Sequence, residues 1–423
     1  MRPELKKRLG LFQGLGFALT LVVGSGVLAL PGMTIAHYGA TLPLQAWLLT
    51  IVAFLPLVYI FVRLGVRFPE ADGMLRYAEI VFGERGRYVA TLFTLGTILL
   101  GVPFSGYVCA AYLQGLPGLA GIPLGLVAIV AFLVVTAINV RGVKMSGWVN
   151  YFSVACIALL AGGIVFTHLG YLSEGARLVT KQTFSFADLS QCSLLIFWAF
   201  IGWEELSFGL EEFRDSEKNI PRVYWMTYVI VALLYVTLAL TASGAHVAGV
   251  EVTGAGGLRA LIPESLQHFV ALAIAFVALA NVNSNVFVYS RMAFAGARAG
   301  ILPASLARLS RNAIPTVSIL SLSAIYCLVI AVMETTATPW SLVVHVVDQN
   351  FIVLYWVGIF AFVKTERSGV LTWLVAGVAF LSSLLFLSHV SWRALYPVTL
   401  ILVGLGLSHC RKVKAVGTAL TVK

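Results

Sequence analysis

Val22-Val23-Gly24-Ser25-Gly26-Val27, followed by Pro31-Gly32, interrupts the first long apolar stretch of the chain, and Trp198-Ala199-Phe200-Ile201-Gly202-Trp203-Glu204-Glu205 interrupts the sixth. Glycine lowers the steric cost of leaving helical dihedrals and lets another molecule approach the backbone. In a membrane, an unwound turn survives only where protein, water or a ligand satisfies its N–H and C=O groups. The first and sixth segments are five apart, corresponding members of two five-helix halves. Paired interruptions at matching positions point to a ligand site between inverted repeats. Alone, Gly24-x-Gly26 has a plainer reading, close packing of two helices through small residues. The matching break in the sixth segment favours the site.

The surrounding composition places these breaks in lipid. The 423 residues are 60% hydrophobic and only 11% charged, against roughly 25% charged in soluble domains. Arg8 to Arg63 and Arg87 to Arg141 contain no Asp, Glu, Lys or Arg between them. Each gap holds two helices of about 20 residues and a tight turn. Continuing along the chain, twelve spans are expected near 11–37, 42–63, 88–113, 121–139, 146–169, 190–211, 223–245, 263–292, 315–333, 339–363, 369–388 and 392–409. A short interfacial helix is expected in the amphipathic connection between Arg63 and Arg87. The expectation is therefore an all-α membrane protein with one transport domain, 1–423. Its inverted repeats cover approximately 11–169 and 190–363, and two further helices occupy 369–409.

The net charge of +10 is of a size found on nucleic-acid surfaces, but its distribution excludes one. With an even number of spans, all 28 basic residues except Arg177, Lys181, Arg259 and Arg393 fall on the side of the two termini. This is the positive-inside pattern, and it predicts cytoplasmic termini in a bacterial inner membrane. The five cysteines are scattered without metal spacing and read as small buried hydrophobes. No nucleophile–base or metal-ligand constellation is present, so neither an enzyme nor a cofactor is expected.

At the first break, N–H groups of a half-helix N-terminus would attract a carboxylate. Carbonyls released by both breaks would accept hydrogen bonds from an ammonium group. A zwitterionic amino acid presents both groups. The candidate binding set is Val22, Gly24, Ser25, Gly26 and Val27 with Trp198, Phe200, Ile201 and Gly202. Intramembrane acids are costly and mark function by default. Glu204 reads either as a protonatable or gating group or as an acceptor capping freed N–H groups of the first helix; Glu205, about 100° round the helix, has no assignment. Asp348, with His345 one turn before it, is either a coupling residue or a buried, partnered acid. Trp198 and Trp203 lie too deep for the interfacial belt and are candidate gates. Asn281, Asn283 and Asn285 either line the pathway or join helices by hydrogen bonds.

These residues resemble a known family. Gly24-Ser25-Gly26-Val27 with Pro31 is similar to the first-helix motif of the amino acid–polyamine–organocation (APC) transporters, and Phe200-Ile201-Gly202-Trp203-Glu204 to their sixth-helix motif. Arg67-Phe68-Pro69 with Gly73 and Tyr77, Glu212-Phe213-Arg214-Asp215 through Arg222, and Ser290-Arg291 with Ala299 to Pro303 resemble the family's loops. Phe197 to Gly202 and the overall length look most like the bacterial exporters of methionine and branched-chain amino acids. The resemblance implies a LeuT-type 5+5 inverted repeat with discontinuous helices 1 and 6 and alternating access. It also implies Val22, Ser25 and Gly26 as contacts to the substrate carboxylate and ammonium, an Ile201 carbonyl contact, and Trp198 as an aromatic lid. Two features depart from relatives: helix five has no lysine between Met145 and Ser173, and Asn285 stands where some antiporters carry a tryptophan.

The expected function is secondary transport of methionine, leucine, isoleucine or valine, exported against protons by a monomer or homodimer in the bilayer. An importer or exchanger of the same fold, or a membrane ligand sensor, are the alternatives.

Overall fold

The computed structural model describes residues 4–24, 27–114, 116, 118–119, 121–181, 185–253, 257–337, 340–366, 369–385 and 395–420. Ser25 and Gly26 lie outside these, as do the side chains of His345 and Asp348. The described residues are helical and contain no named strand. That is the solution lipid demands of an apolar chain, since a helix satisfies its backbone polar groups within itself.

The first expected span is two helices, α1 (Leu11–Val22) and α2 (Leu30–Tyr38), the second with Pro31 in its first turn, where the missing N–H costs nothing. α3 (Leu42–Arg67) follows, then α4 (Met74–Gln114), which bends at Gly83 with φ 70°. The part before Gly83 occupies the place of the expected interfacial helix. α5 (Leu124–Arg141) and α6 (Val143–Thr167) come next. α7 (Leu169–Leu178) is a short helix that hydropathy did not reveal. It lies against α10 so closely that a Cβ on Gly175 would collide with the Leu240 carbonyl, and one on Gly244 with that of Tyr171.

The expected sixth span begins as α8 (Phe186–Phe197), tightens into a 3-10 turn over Trp198–Phe200, unwinds, and resumes as α9 (Trp203–Leu206) with a further 3-10 stretch to Glu212. α10 (Ser216–Val247), α11 (Gln267–Arg298), α12 (Thr316–Thr335), α13 (Trp340–Glu366), α14 (Val370–Leu385) and α15 (Leu395–Leu420) complete the chain. α10, α11 and α15 run past the charge-defined limits of the expected spans, because a helix continues beyond its apolar stretch into polar flanks. Among the described residues, eight helical segments are long and apolar enough to cross a membrane, and Leu11–Val22, Val370–Leu385 and Leu395–His409 are shorter apolar helices. Phe166, Leu159, Phe269, Val370 and Trp373 stand exposed, a surface suited to acyl chains and not to water.

α11 is the central strut, packed against α1, α4, α5, α6 and α12, while α14 and α15 lie outside on α3, α13 and α4. One end of the bundle is polar and tied together. Arg8 and Leu9 donate backbone N–H groups to the Glu212 carbonyl at 2.7 and 2.8 Å, and Arg214 N–H returns a bond to Leu9. The Glu212 carboxylate is buried against Arg291 at 2.8 Å. Glu211 holds Arg298 at 2.8 Å and accepts from the backbone of Leu5 and Ala71. Arg63 pairs with Glu366 and Arg87 with Asp72. A cleft of ≈ 880 Å³ opens here among Glu70, Asp72, Arg76, Arg87 and Arg298. Burial, followed by the neighbouring Asp72, holds the Glu70 carboxyl above the usual carboxylate range. Arg8, Arg63, Arg76, Arg87, Arg291 and Arg298, all expected on one side, stand at this end.

Candidate functional site

The two breaks meet. α1 stops at Val22 because Val23 leaves the helix, with φ −84° and ψ 89°. Against this end lies Gly202 at φ 126°, in the region that side chains avoid. A Cβ there would sit 3.3 Å from the Leu21 backbone and from the Val22 side chain. Only glycine permits both the turn and the approach. Ile201 before it is extended, at φ −74° and ψ 145°.

Beside the breaks is a cavity of ≈ 90 Å³, lined by Val22 and Gly24 from the first and Trp198, Ile201 and Glu205 from the sixth. α4 closes the far side with Ile98, Val102, Phe104 and Ser105, and α11 contributes Asn281, Asn285 and Tyr289. Trp198 meets Phe104 edge-to-face at 5.7 Å, an aromatic wall beside the aliphatic Leu30, Ile98, Val102 and Val108. At roughly 10–15 Å³ for each water-sized position, the space is on the scale of a small amino acid.

The main chain freed by the first break is met from α11. Asn281 Nδ2 donates to the carbonyls of Thr20 and Leu21 at 2.9 and 3.2 Å. Asn285 Nδ2 donates to Asn281 Oδ1 at 3.2 Å and to Ser105 Oγ at 3.4 Å, so the amides are held as a chain. Asn283 faces the other way. Its amide donates to Ser146 and Asn150 of α6 and accepts from Asn139 of α5 at 2.9 Å. Two residues along a helix is about 200° of rotation, so the asparagine cluster divides between the cavity and the bundle interior.

Other expected contacts also stand elsewhere. Val27 borders a separate small apolar space with Leu28, Ile157 and Ile274. The ring of Phe200 packs into Phe54 and Tyr235 at 5.1 and 5.5 Å, while its carbonyl accepts from the Tyr355 hydroxyl at 3.5 Å. Trp203, expected as a gate, is fully buried and stacks on Tyr224, whose hydroxyl donates to the Trp203 carbonyl at 3.1 Å. Glu204 is 1% exposed and absent from the cavity lining; its Oε2 accepts from Gly202 N–H at 3.4 Å. It caps its own broken helix and not the first one.

Sequence reasoning left Glu205 unassigned and missed Tyr289. Both line the cavity, and the Tyr289 hydroxyl donates to Glu205 Oε1 at 2.6 Å. A signal for Tyr289 did exist: positions 281, 285 and 289 recur every four residues, the spacing of one helix face.

The crystal structure of MhsT in complex with L-phenylalanine has this fold, with a TM-score of 0.67 over 91% of this chain and 98% of that one at 12% identity. The protein is thus a multi-pass helical membrane protein built on the LeuT-type plan. More particularly, the chain belongs to the amino acid permease family, whose sequence profile matches residues 9–405, and so to the APC superfamily that its motifs resemble. It is 26% identical over 415 residues to the L-methionine/branched-chain amino acid exporter YjeH of Escherichia coli, covering 95% of this chain and 96% of that protein. It is 25% identical over 411 residues to the uncharacterized amino acid permease YecA of Bacillus subtilis, with 96% of each covered. The human large neutral amino acids transporter small subunit 2 is 24% identical over 370 residues, 82% of this chain and 68% of that one. The protein is an amino acid transporter and not an enzyme.

Proposed function

We propose that the chain is a secondary active transporter that exports neutral hydrophobic amino acids, methionine and the branched-chain set, by proton antiport through alternating access. The observation that carries this reading is the cavity between the breaks, where main chain at Gly24 and Ile201 adjoins a largely aliphatic and aromatic wall. No Arg, Lys or His lines it among the described residues, so it offers nothing to select an acidic side chain. The broken backbone recognises the zwitterion; Ile98, Val102, Phe104 and Trp198 take an apolar side chain. The similarity to a methionine and branched-chain exporter supports the cargo and the direction. On this reading the molecule has twelve spans in two inverted repeats, with both termini and the polar end in the cytoplasm of a bacterium. Closure of that end is the work of the ties among the N-terminal segment, Glu212 and Arg291.

The test is uptake of labelled methionine, leucine, isoleucine and valine into proteoliposomes. An acidic lumen is expected to accelerate uptake, since protons leaving drive the amino acid in. Slower uptake with an acidic lumen would establish symport, and counterflow indifferent to the gradient would establish an exchanger. Similarity to a large neutral amino acids transporter subunit makes the exchanger the second reading.

A further inference from the structure

We infer that Glu205, and not Glu204, is the carboxyl group at which a proton and the substrate's ammonium group exclude one another. The inference rests on the transport reading above and assigns its coupling to one atom group.

The adjacent acids of α9 are both buried, at 1% and 7% exposure, yet the helix turns them to different duties. Glu204 is bent back on the Gly202 N–H. Glu205 opens on the cavity, with Oε1 held by the Tyr289 hydroxyl and no hydrogen bond to Oε2 from the described residues. The titratable groups facing Glu205 are Glu204 on its own element, Tyr289 of α11, Tyr326 of α12 and Tyr355 of α13. None of them is a cation. Arg291, farther along α11, is committed to Glu212 and to the face of Phe287, 3.7 Å from the ring centroid.

A buried carboxylate without a positive partner costs several kcal/mol or more, and the group neutralises instead. Two species can neutralise Glu205 in this cavity: a proton, or the ammonium of a bound amino acid. They need the same oxygen. On binding, the O–H bond of Glu205 breaks and its proton passes to the water of the open side. The ammonium then donates to the carboxylate, and the Tyr289 hydroxyl keeps its bond, strengthened by the charge it now meets. One proton leaves for each zwitterion that enters. A site occupied by either one or the other is a coupling device for antiport, and it needs no lysine in helix five. Tyr289 is a positioning residue that leaves Oε2 to the cavity.

Methionine binding to the purified protein in nanodiscs, titrated calorimetrically in two buffers of different ionisation enthalpy between pH 5 and 9, is the test. Wild type is expected to release up to one proton per methionine, with affinity falling about tenfold per pH unit on the acid side. Glu205→Gln should bind with a flat pH profile and release none, whereas Glu204→Gln should keep the slope and the release whatever its absolute affinity. Tyr289→Phe, which loses a donor to the charged form, should move the profile's midpoint to higher pH by roughly 1. A full slope in Glu205→Gln, its loss in Glu204→Gln, or an unmoved midpoint in Tyr289→Phe would overturn the assignment. If Glu205→Gln does not fold, the other two variants decide. A folded wild type that binds none of the four amino acids at any pH would instead overturn the transport reading itself.

Discussion

The two breaks solve one problem with different chemistry. At the first, the carbonyls of Thr20 and Leu21 are taken by the neutral amide of Asn281 from another helix. At the sixth, the N–H of Gly202 is taken by the acid Glu204 two residues along, and the Phe200 carbonyl by Tyr355 of α13. The first break is therefore polar at every pH, and the sixth brings two carboxyl groups with it. Recognition of a zwitterion suits the first, and response to protons the second. α11 touches both, since Asn281, Asn285 and Tyr289 form one stripe that runs from the carbonyls of α1 to Glu205.

Changes at the two breaks should then differ in kind. The largest effect is expected from Gly202→Val. A β-branched residue at φ 126° costs about 1–3 kcal/mol, and its Cβ would press on the Leu21 backbone at 3.3 Å. Transport in proteoliposomes should be lost and thermal unfolding in detergent should come earlier; wild-type behaviour would show that the two breaks do not touch. Asn281→Ala should come next, leaving two carbonyls without their donor at a cost of about 1–3 kcal/mol. It should weaken methionine binding equally at all pH values. A change in its pH profile would erase the distinction between the breaks.

Glu204→Ala removes the acceptor of Gly202 N–H and should lower stability by about 1 kcal/mol, while Glu204→Gln, which keeps an acceptor oxygen, should unfold close to wild type. Equal losses in the two variants would mean that the charge, and not the cap, matters there. The smallest effect on transport is expected from Trp203→Phe. The Trp203 Nε1 is buried without a hydrogen-bond partner, and a phenyl ring retains the stacking on Tyr224, so transport should persist while the cavity left by the lost ring lowers stability by about 1–2 kcal/mol. A collapse of transport without loss of stability would restore Trp203 as a gate.

The breaks were legible because glycine-rich interruptions in an apolar segment have few other uses. The helices were legible from gaps between charges. What escaped was local or distant in a way that hydropathy does not record. The bend of α4 at Gly83 depends on one positive φ, and α7 is held on α10 by the pair Gly175 and Gly244. Seen as composition, Asn281, Asn283 and Asn285 were one polar cluster; their four-residue spacing separates Asn283 from the other two. The doublet Glu204-Glu205 marked the right place, but its division of labour depends on Tyr289, more than eighty residues away. Ser25, Gly26 and the side chain of Asp348 lie outside the described residues.

The central claim is that main chain bared at two facing breaks holds the two charges of an amino acid. The most direct measurement is an electron cryomicroscopy structure of the protein in nanodiscs with methionine. It should show the ligand between Gly24 and Ile201, its ammonium toward the sixth span and its thioether against Trp198 and Phe104. Helices that run unbroken through Gly24 and Gly202, or methionine bound away from both, would contradict the account.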